Sequence, residues 1–401
     1  MTTKQVILLS LLIRLLIIPF FYHPDIKSQY FHFQFLSQDV NNIYQYISDN
    51  KYNLPNRDTF NYLPLTYFTF GSYFSFVKHI SLPDLSNWLN DWGNFKNSYP
   101  NLPYFLLSLK FPYLIADYLL ALILLKLYRR PEIFSLWLLN PISIYLIYIL
   151  GNFDVIPVLL TLSSYYFLTK NKNILPFFLL GIAISLKLYP LIFLPFFLFY
   201  NPINIKKIIL NTLATIFPLL ISLLPFIYYS SFWSSFFGSG LTQKILEFKI
   251  VGIPIFPVGY LTILSSYLFS KTRFPENFLN FEKHMLFLFL LFISTVNFHP
   301  QWILWFFPFV LVFNFFKPKI RSLILITLLL IFIYIALIND QYLFWGHLIP
   351  IDLAFTNTPS PYQLIIKYSL FKPEFVRQLL QLIFFAFLLL LTRFHEKNTK
   401  N

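Results

Sequence analysis

No cysteine occurs in the 401 residues. Disulfides, thiolate metal sites and a cysteine nucleophile are therefore excluded. Charge is scarce as well. Asp, Glu, Lys and Arg together make up 11% of the chain, against roughly 25% in a soluble domain, too few to cover a water-facing surface. Three motifs are missing: Gly-x-x-x-x-Gly-Lys, His-Glu-x-x-His and Gly-x-Ser-x-Gly. Phosphate-loop transport, zinc proteolysis and nucleophile-elbow hydrolysis thus lack their signatures. The first apolar stretch is followed by no small-residue cleavage site, so it reads as a retained helix and not as a signal peptide.

What the chain has is apolar mass: 57% hydrophobic residues and 21% aromatic ones. Apolar runs lie at about 5–22, 104–128, 133–150, 154–168, 174–186, 188–200, 208–229, 251–270, 284–297, 301–316, 321–338 and 376–392, with a shorter one at 63–80. Most are long enough, or nearly so, to cross roughly 30 Å of hydrocarbon. The expectation is an all-α polytopic membrane protein. The net charge of +14 follows from membrane topology, because cytoplasmic loops collect Lys and Arg. No nucleic-acid partner is needed to explain it.

The basic clusters set the orientation. They are Arg129-Arg130, Lys170 with Lys172, Lys206-Lys207, Lys271 with Arg273, Lys317 with Lys319 and Arg321, and Arg393 with Lys397 and Lys400. All fall on the cytoplasmic side if 63–80 does not cross and 174–200 crosses twice. That arrangement gives about twelve spans in the cell membrane, with both termini inside. The alternative is one long span over 174–200. Residues 1–401 then form a single transmembrane domain. It consists of an external loop at 23–103 carrying interfacial helices, a helical core at 104–338, and an external loop with the last helix at 339–401.

Ionisable groups at membrane depth are costly and are kept mainly where they face a cavity or a partner. Asp154, in Gly151-Asn152-Phe153-Asp154, and Lys187, in Leu186-Lys187-Leu188-Tyr189-Pro190, both sit between apolar runs. Asp154 reads either as the cap of the following helix or as a sugar-binding carboxylate. Lys187 reads either as a snorkelling lysine or as a cation for a lipid phosphate. Lys110 and Asp117 stand seven residues apart, on one helix face. They suit an internal ion pair with other helices, and Lys110 also suits a phosphate. Arg14, inside the first run, needs a partner. Asp25, in Tyr22-His23-Pro24-Asp25, lies just beyond the first run, where it caps an interfacial helix or acts as a general base. Tyr62 opens the Tyr62-Leu63-Pro64-Leu65 element, an interfacial anchor or a groove wall. Asn297, His299, Gln301 and Trp302 gather at one turn and suit either a sugar or an aromatic belt.

Taken in order, these motifs resemble the multi-spanning glycosyltransferases of the GT-C class. Within it they are most similar to the catalytic-subunit family of GPI mannosyltransferase I and to the bacterial α-mannosyltransferases of glycosyltransferase family eighty-seven. The resemblance rests on Asp25-Ile26, Tyr62-Leu63-Pro64-Leu65, Asn140-Pro141, Gly151-Asn152-Phe153-Asp154, Lys187-Leu188-Tyr189-Pro190, and Gln301-Trp302 with Trp305 and Pro308. It implies a GT-C-like bundle that transfers a sugar, mannose by analogy, from a polyprenyl-phosphate-sugar donor to a glycolipid or glycan acceptor outside the membrane. It implies Asp25 as general base and Lys187, with Lys110, on the donor phosphate. Asp154, Asn152, Tyr62, Tyr189, His299, Gln301 and Trp302 would face the sugar or the acceptor. The family's early motif often reads Asp-x-Asp, but the second position here is Lys27. No cofactor is therefore expected, and a divalent metal there is in doubt. The rival reading is a lipid-linked sugar flippase without catalysis, whose polar groups would line both membrane halves.

Overall fold

A computed structural model describes residues 2–80, 84–92, 99–201, 204–238, 240, 243–273, 280–317, 321–368 and 371–398. Lys319 and Lys400 of the basic clusters lie outside these residues. Among the described residues the fold is helical, apart from one two-stranded hairpin, β1 (Lys249–Ile250) with β2 (Ile253–Pro254). The chain packs as two compact units, residues 1–240 with 345–357, and residues 241–344 with 358–401.

The first unit opens with α1 (Thr3–Ile17), α2 (Pro24–Phe33), α3 (Ile43–Asn50), α4 (Pro64–Ile80) and α5 (Asp84–Asn90). The long α6 (Leu102–Tyr128) follows, then α7 (Pro131–Leu138) and the single turn α8 (Pro141–Ile144). After α8 the chain widens into a π turn, Tyr145–Ile149, with the Leu150 amide donating to the Tyr145 carbonyl. Then come α9 (Val155–Thr169), α10 (Leu175–Leu186), a 3-10 turn at Tyr189–Phe193, α11 (Leu194–Leu198), α12 (Ile205–Leu223) and α13 (Ser230–Gly238). Helix α10 packs between α9 and α12, and α6 packs on α7 and α9. Gly181 on α10 makes the second contact possible: a Cβ there would lie 2.3 Å from the Thr215 carbonyl oxygen of α12.

The second unit holds α14 (Ile255–Arg273), α15 (Asn280–Thr295), a 3-10 turn at Pro300–Trp305, α16 (Phe307–Phe316), α17 (Arg321–Ala336), α18 (Pro361–Tyr368) and α19 (Pro373–Asn398). Its centre is α15, buried along nearly its whole length and packed by α14, α16 and α19.

Among the described residues, three helices are long and apolar enough to cross a membrane: Leu102–Tyr128, Ile205–Leu223 and Pro373–Leu391. The pair Pro131–Leu138 and Pro141–Ile149, bent by 46°, makes a fourth if it counts as one broken span. Most of the other runs expected to cross are shorter helices. Val155–Thr169, Leu175–Leu186, Tyr189–Leu198 and Arg321–Ala336 are apolar but have 10–17 residues. Proline explains much of this. Pro190 and Pro195 follow the end of α10, and Pro300 and Pro308 punctuate the stretch after α15. Each lacks an amide for the helix ladder and disfavours helical backbone in the residue before it.

Candidate active site

The turn between the π segment and α9 is built around Gly151. Its φ of +64° is left-handed, and a Cβ on it would lie 2.9 Å from Cε of Lys110. Only glycine fits both demands without strain. The Lys110 ammonium is fully buried in α6 and donates to three backbone carbonyls: Ile18 at 3.3 Å, Tyr148 at 2.7 Å, and Phe21. The Tyr148 carbonyl belongs to the π turn, where the widened ladder redirects backbone acceptors. An ammonium has three protons, and all three are engaged. Lys110 thus ties the end of α1, the entry to α2 and the Gly151 turn to one point. The expected phosphate role does not suit this arrangement, and a positioning role does.

Asp117, two turns further along α6 on the same buried face, closes a second network. Its carboxylate accepts from Arg14 Nε at 2.7 Å, the Tyr148 hydroxyl at 2.7 Å and Trp137 Nε1 at 2.6 Å. Arg14 also donates to the carbonyls of Ser10 and Leu138. Both ends of this buried pair make further hydrogen bonds, as buried pairs must to persist, and Arg14 Nη2 alone of its nitrogens has no partner. The internal ion pair expected as one option for Asp117 is the arrangement found.

Asp154 stands at the N-cap position of α9, but its backbone is helical and its side chain makes no capping bond. The capping alternative is therefore set aside. Its buried carboxylate instead takes the Lys187 ammonium at 2.5 Å. Lys187 reaches it because α10 ends there: the residue is extended (φ −152°, ψ 134°). Its Nζ lies 5.3 Å from the ring centre of Phe153 and 5.8 Å from that of Tyr62, placed for cation–π attraction. The Lys187 side chain keeps 15% exposure while Asp154 has none, so the cation is the accessible half of the pair.

Tyr62 brings the early loop to this pair. Its ring meets Phe153 edge-on at 5.1 Å. Its hydroxyl accepts from Gln29 Nε2 at 3.1 Å and its carbonyl accepts from the Tyr44 hydroxyl at 2.6 Å. Burial first, and then the nearby charges of Asp25 and Asp154, raise the Tyr62 phenol above its ordinary range. The two carboxylates thus bear on one hydroxyl from α2 and from the head of α9. At the first turn of α4, the buried Thr66 hydroxyl donates to the Leu186 carbonyl, fastening this loop to the end of α10. Tyr189, just past that break, is buried and close enough to feel the Asp154 charge.

Asp25 lies in the first turn of α2, and its side chain is 42% exposed. His23 is the N-cap: its Nδ1 accepts from the Asp25 amide at 3.2 Å and lies 3.2 Å from the Asp25 carboxylate. Lys27 turns away from Asp25. Its ammonium donates to the Asp91 carbonyl at 2.5 Å and lies about 5 Å from the rings of Trp88 and Trp92. Burial lowers its pKa to about 8, partly opposed by Asp91. A cation at that position does not fit a paired-acid metal site.

The structure therefore brings Asp25, Tyr62, Asp154, Lys187 and Tyr189 into one neighbourhood, with Asn152 in the same turn. His299, Gln301 and Trp302 belong to the second unit. There His299 Nε2 lies 2.9 Å from the Lys244 ammonium, and its ring meets Trp302 at 5.1 Å. Trp302 stacks on Trp305, and Asn297 donates to Glu247 at 3.0 Å. Gln301 is half-buried. Sequence reasoning missed Thr66, Gln29 and His23. The last two carried a readable signal, since Gln29 follows Asp25 by one helical turn and His23 precedes Pro24 at a helix start.

The chain is similar to fungal proteins named GPI mannosyltransferase 1. It is 27% identical to the one from Debaryomyces hansenii over 217 residues, covering 50% of this chain and 45% of that protein. It is 35% identical to the one from Candida albicans over 100 residues, 23% of this chain and 25% of the relative. The matched stretches thus span less than half the length of either relative. No family model and no solved structure matches the chain. The similarity agrees with the resemblance drawn from the motifs.

Proposed function

We propose that this chain is a membrane-embedded mannosyltransferase. It moves a mannosyl group from a polyprenyl-phosphate donor to a hydroxyl of a glycolipid or glycan acceptor. The observation that carries the reading is the convergence of Asp25 and the Asp154–Lys187 pair on Tyr62. One acid and one cation are accessible, and both lie near the same tyrosine.

In this mechanism Asp25 takes the proton of the acceptor hydroxyl as its oxygen attacks the anomeric carbon. The bond from that carbon to the phosphate oxygen breaks in the same displacement, which inverts the centre. The electron pair leaves with the polyprenyl phosphate, and Lys187 stabilises its developing charge. Asp154 holds Lys187 in place and accepts from sugar hydroxyls, while Tyr62 and Tyr189 wall the site. Lys110 positions the Gly151 turn and leaves the phosphate to Lys187. No step requires a metal between Asp25 and Lys27. The site opens to the extracytoplasmic face of the cell membrane, in a topology of about twelve spans. The burial of Arg14 and Asp117 against one another weighs against a flippase, since these were the charges away from the external side.

The test is transfer by purified protein in lipid discs, given polyprenyl-phosphate-mannose and a glycolipid extract. The expected products are a glycolipid one hexose heavier and free polyprenyl phosphate. No hexose addition from this donor to any lipid or glycan in the extract would overturn the reading.

A further inference from the structure

Two buried amides beside the paired charges have polar atoms without a partner. Asn152 is 2% exposed, and neither its Oδ1 nor its Nδ2 makes a hydrogen bond. Gln29 is also 2% exposed; its Nε2 donates to Tyr62, and its Oε1 has no partner. A buried polar atom left unpaired carries its full desolvation cost, so native proteins keep few of them. Both amides flank the same groups. Gln29 lies one turn after Asp25 on α2, and Asn152 lies two residues before Asp154. Tyr62 joins them, with its hydroxyl on Gln29 and its ring against Phe153, the residue next to Asn152.

We propose that Gln29 and Asn152 are the sugar-reading groups of the site, hydrogen-bonding neighbouring hydroxyls of the transferred hexose. The open positions are two carbonyl oxygens and one NH2 group. An anion would satisfy the NH2 and leave both oxygens bare. A cation would do the reverse, and an apolar group would satisfy neither. A hydroxyl both donates and accepts, so a polyol with adjacent hydroxyls can fill all three. The identity of that polyol as mannose rests on the transfer reading above. A site built to bond a substrate hydroxyl discriminates strongly against the analogue that lacks it, because its own buried groups then stay unpaired.

The test separates reading a ligand from holding the fold. In ligand-free protein, Asn152→Leu should melt at or above the wild-type temperature, because an unpaired amide is replaced by an apolar side chain of similar size. Transfer by the same variant should fall by at least about 10-fold, the loss of one good hydrogen bond to substrate. Wild type should lose at least about 100-fold with one or two donors in a series lacking a single hydroxyl. Asn152→Leu and Gln29→Met should each be indifferent to the loss of one of those hydroxyls. A lowered melting temperature for Asn152→Leu, or variants that still discriminate as wild type does, would overturn the proposal. If wild type transfers nothing from this donor, the mannosyl reading fails separately. The amides are then tested by melting shifts with octyl hexosides. Stabilisation of wild type but not of the variants supports the proposal, and no stabilisation of wild type by any octyl hexoside contradicts it.

Discussion

Lys187 and Asp154 make a buried pair with unequal ends, and this has a consequence for substitution. Removing one partner leaves the other charge unpaired in an apolar setting, at a cost of about 3–5 kcal/mol. Lys187→Ala should therefore destabilise the protein strongly. The double variant Lys187→Met with Asp154→Leu should recover most of that stability, since apolar replacement of a buried pair is often neutral. It should recover none of the transfer. Thermal melting and the transfer assay on the three proteins check this. A double variant that stays as unstable as the single one would show that the pair does more than neutralise itself. The pair also shows how far a single residue can be read from sequence. A charge at depth announces that it needs a partner. Which partner it takes depends on the break after Leu186 and on the left-handed turn at Gly151, and hydropathy records neither. For the same reason the three carbonyls that hold Lys110 leave no trace in the hydropathy pattern.

Individual elements carry the positioning. The Gly151 turn is pressed on Lys110 and held at positive φ. Gly151→Ala should cost about 1–3 kcal/mol from the strained backbone and should reduce transfer through displacement of Asn152 and Asp154. Wild-type melting and turnover in this variant would contradict the role given to the turn. In α6, Pro112 has no amide to offer the Ser108 carbonyl, and that carbonyl takes the Tyr73 hydroxyl at 2.6 Å instead. The proline thus becomes a docking point for α4.

Helix α2 carries its own pH dependence. Burial lowers His32 to about 4, partly opposed by the carbonyl and charge of Asp58. The ordinary value is 6.5. Between these values the unfolded chain binds a proton that the folded one does not, so stability falls on acidification through that window. Melting temperatures from about pH 7 to pH 4 should drop less for His32→Gln than for wild type. An equal drop would remove His32 from the acid response. Element type was legible in the sequence, because long apolar runs with few charges read as helices. Element length was less legible. Most runs counted as crossings are helices of 10–17 residues, interrupted where prolines and polar turns enter. The π turn before Gly151 has no hydropathy signature.

For the whole molecule, the composition settles more than the detail does. So few charges and so much apolar surface place the chain in a membrane, and helices such as α12, with Thr215 as its one buried residue, fit a lipid-facing role. The orientation rests on the basic clusters. The lack of cysteine makes it directly measurable, since every introduced cysteine is the sole reporter. Arg57→Cys and Asp352→Cys should react with an impermeant maleimide on intact cells. Arg130→Cys, Lys172→Cys and Lys206→Cys should react only after permeabilisation. Labelling of Lys206→Cys from outside would favour one crossing at 174–200 over two. At this scale the order of the motifs was the most informative signal. It grouped the early acid, the Tyr62 element, the Gly151 turn and the Lys187 break, and the structure sets these segments near one another. Asn152 stands among the sugar-facing residues by its motif and Gln29 is readable by its place one turn after Asp25, but that both amides keep buried atoms without partners has no counterpart in the sequence pattern.

The claim on which the account depends is that Asp25 is the base for transfer. The direct measurement is single-turnover mannosyl transfer by Asp25→Asn, run beside binding of the donor by the same protein. The account predicts donor binding close to wild type and transfer lower by about 100-fold or more, the contribution typical of a positioned base. Transfer at the wild-type rate by Asp25→Asn would contradict it.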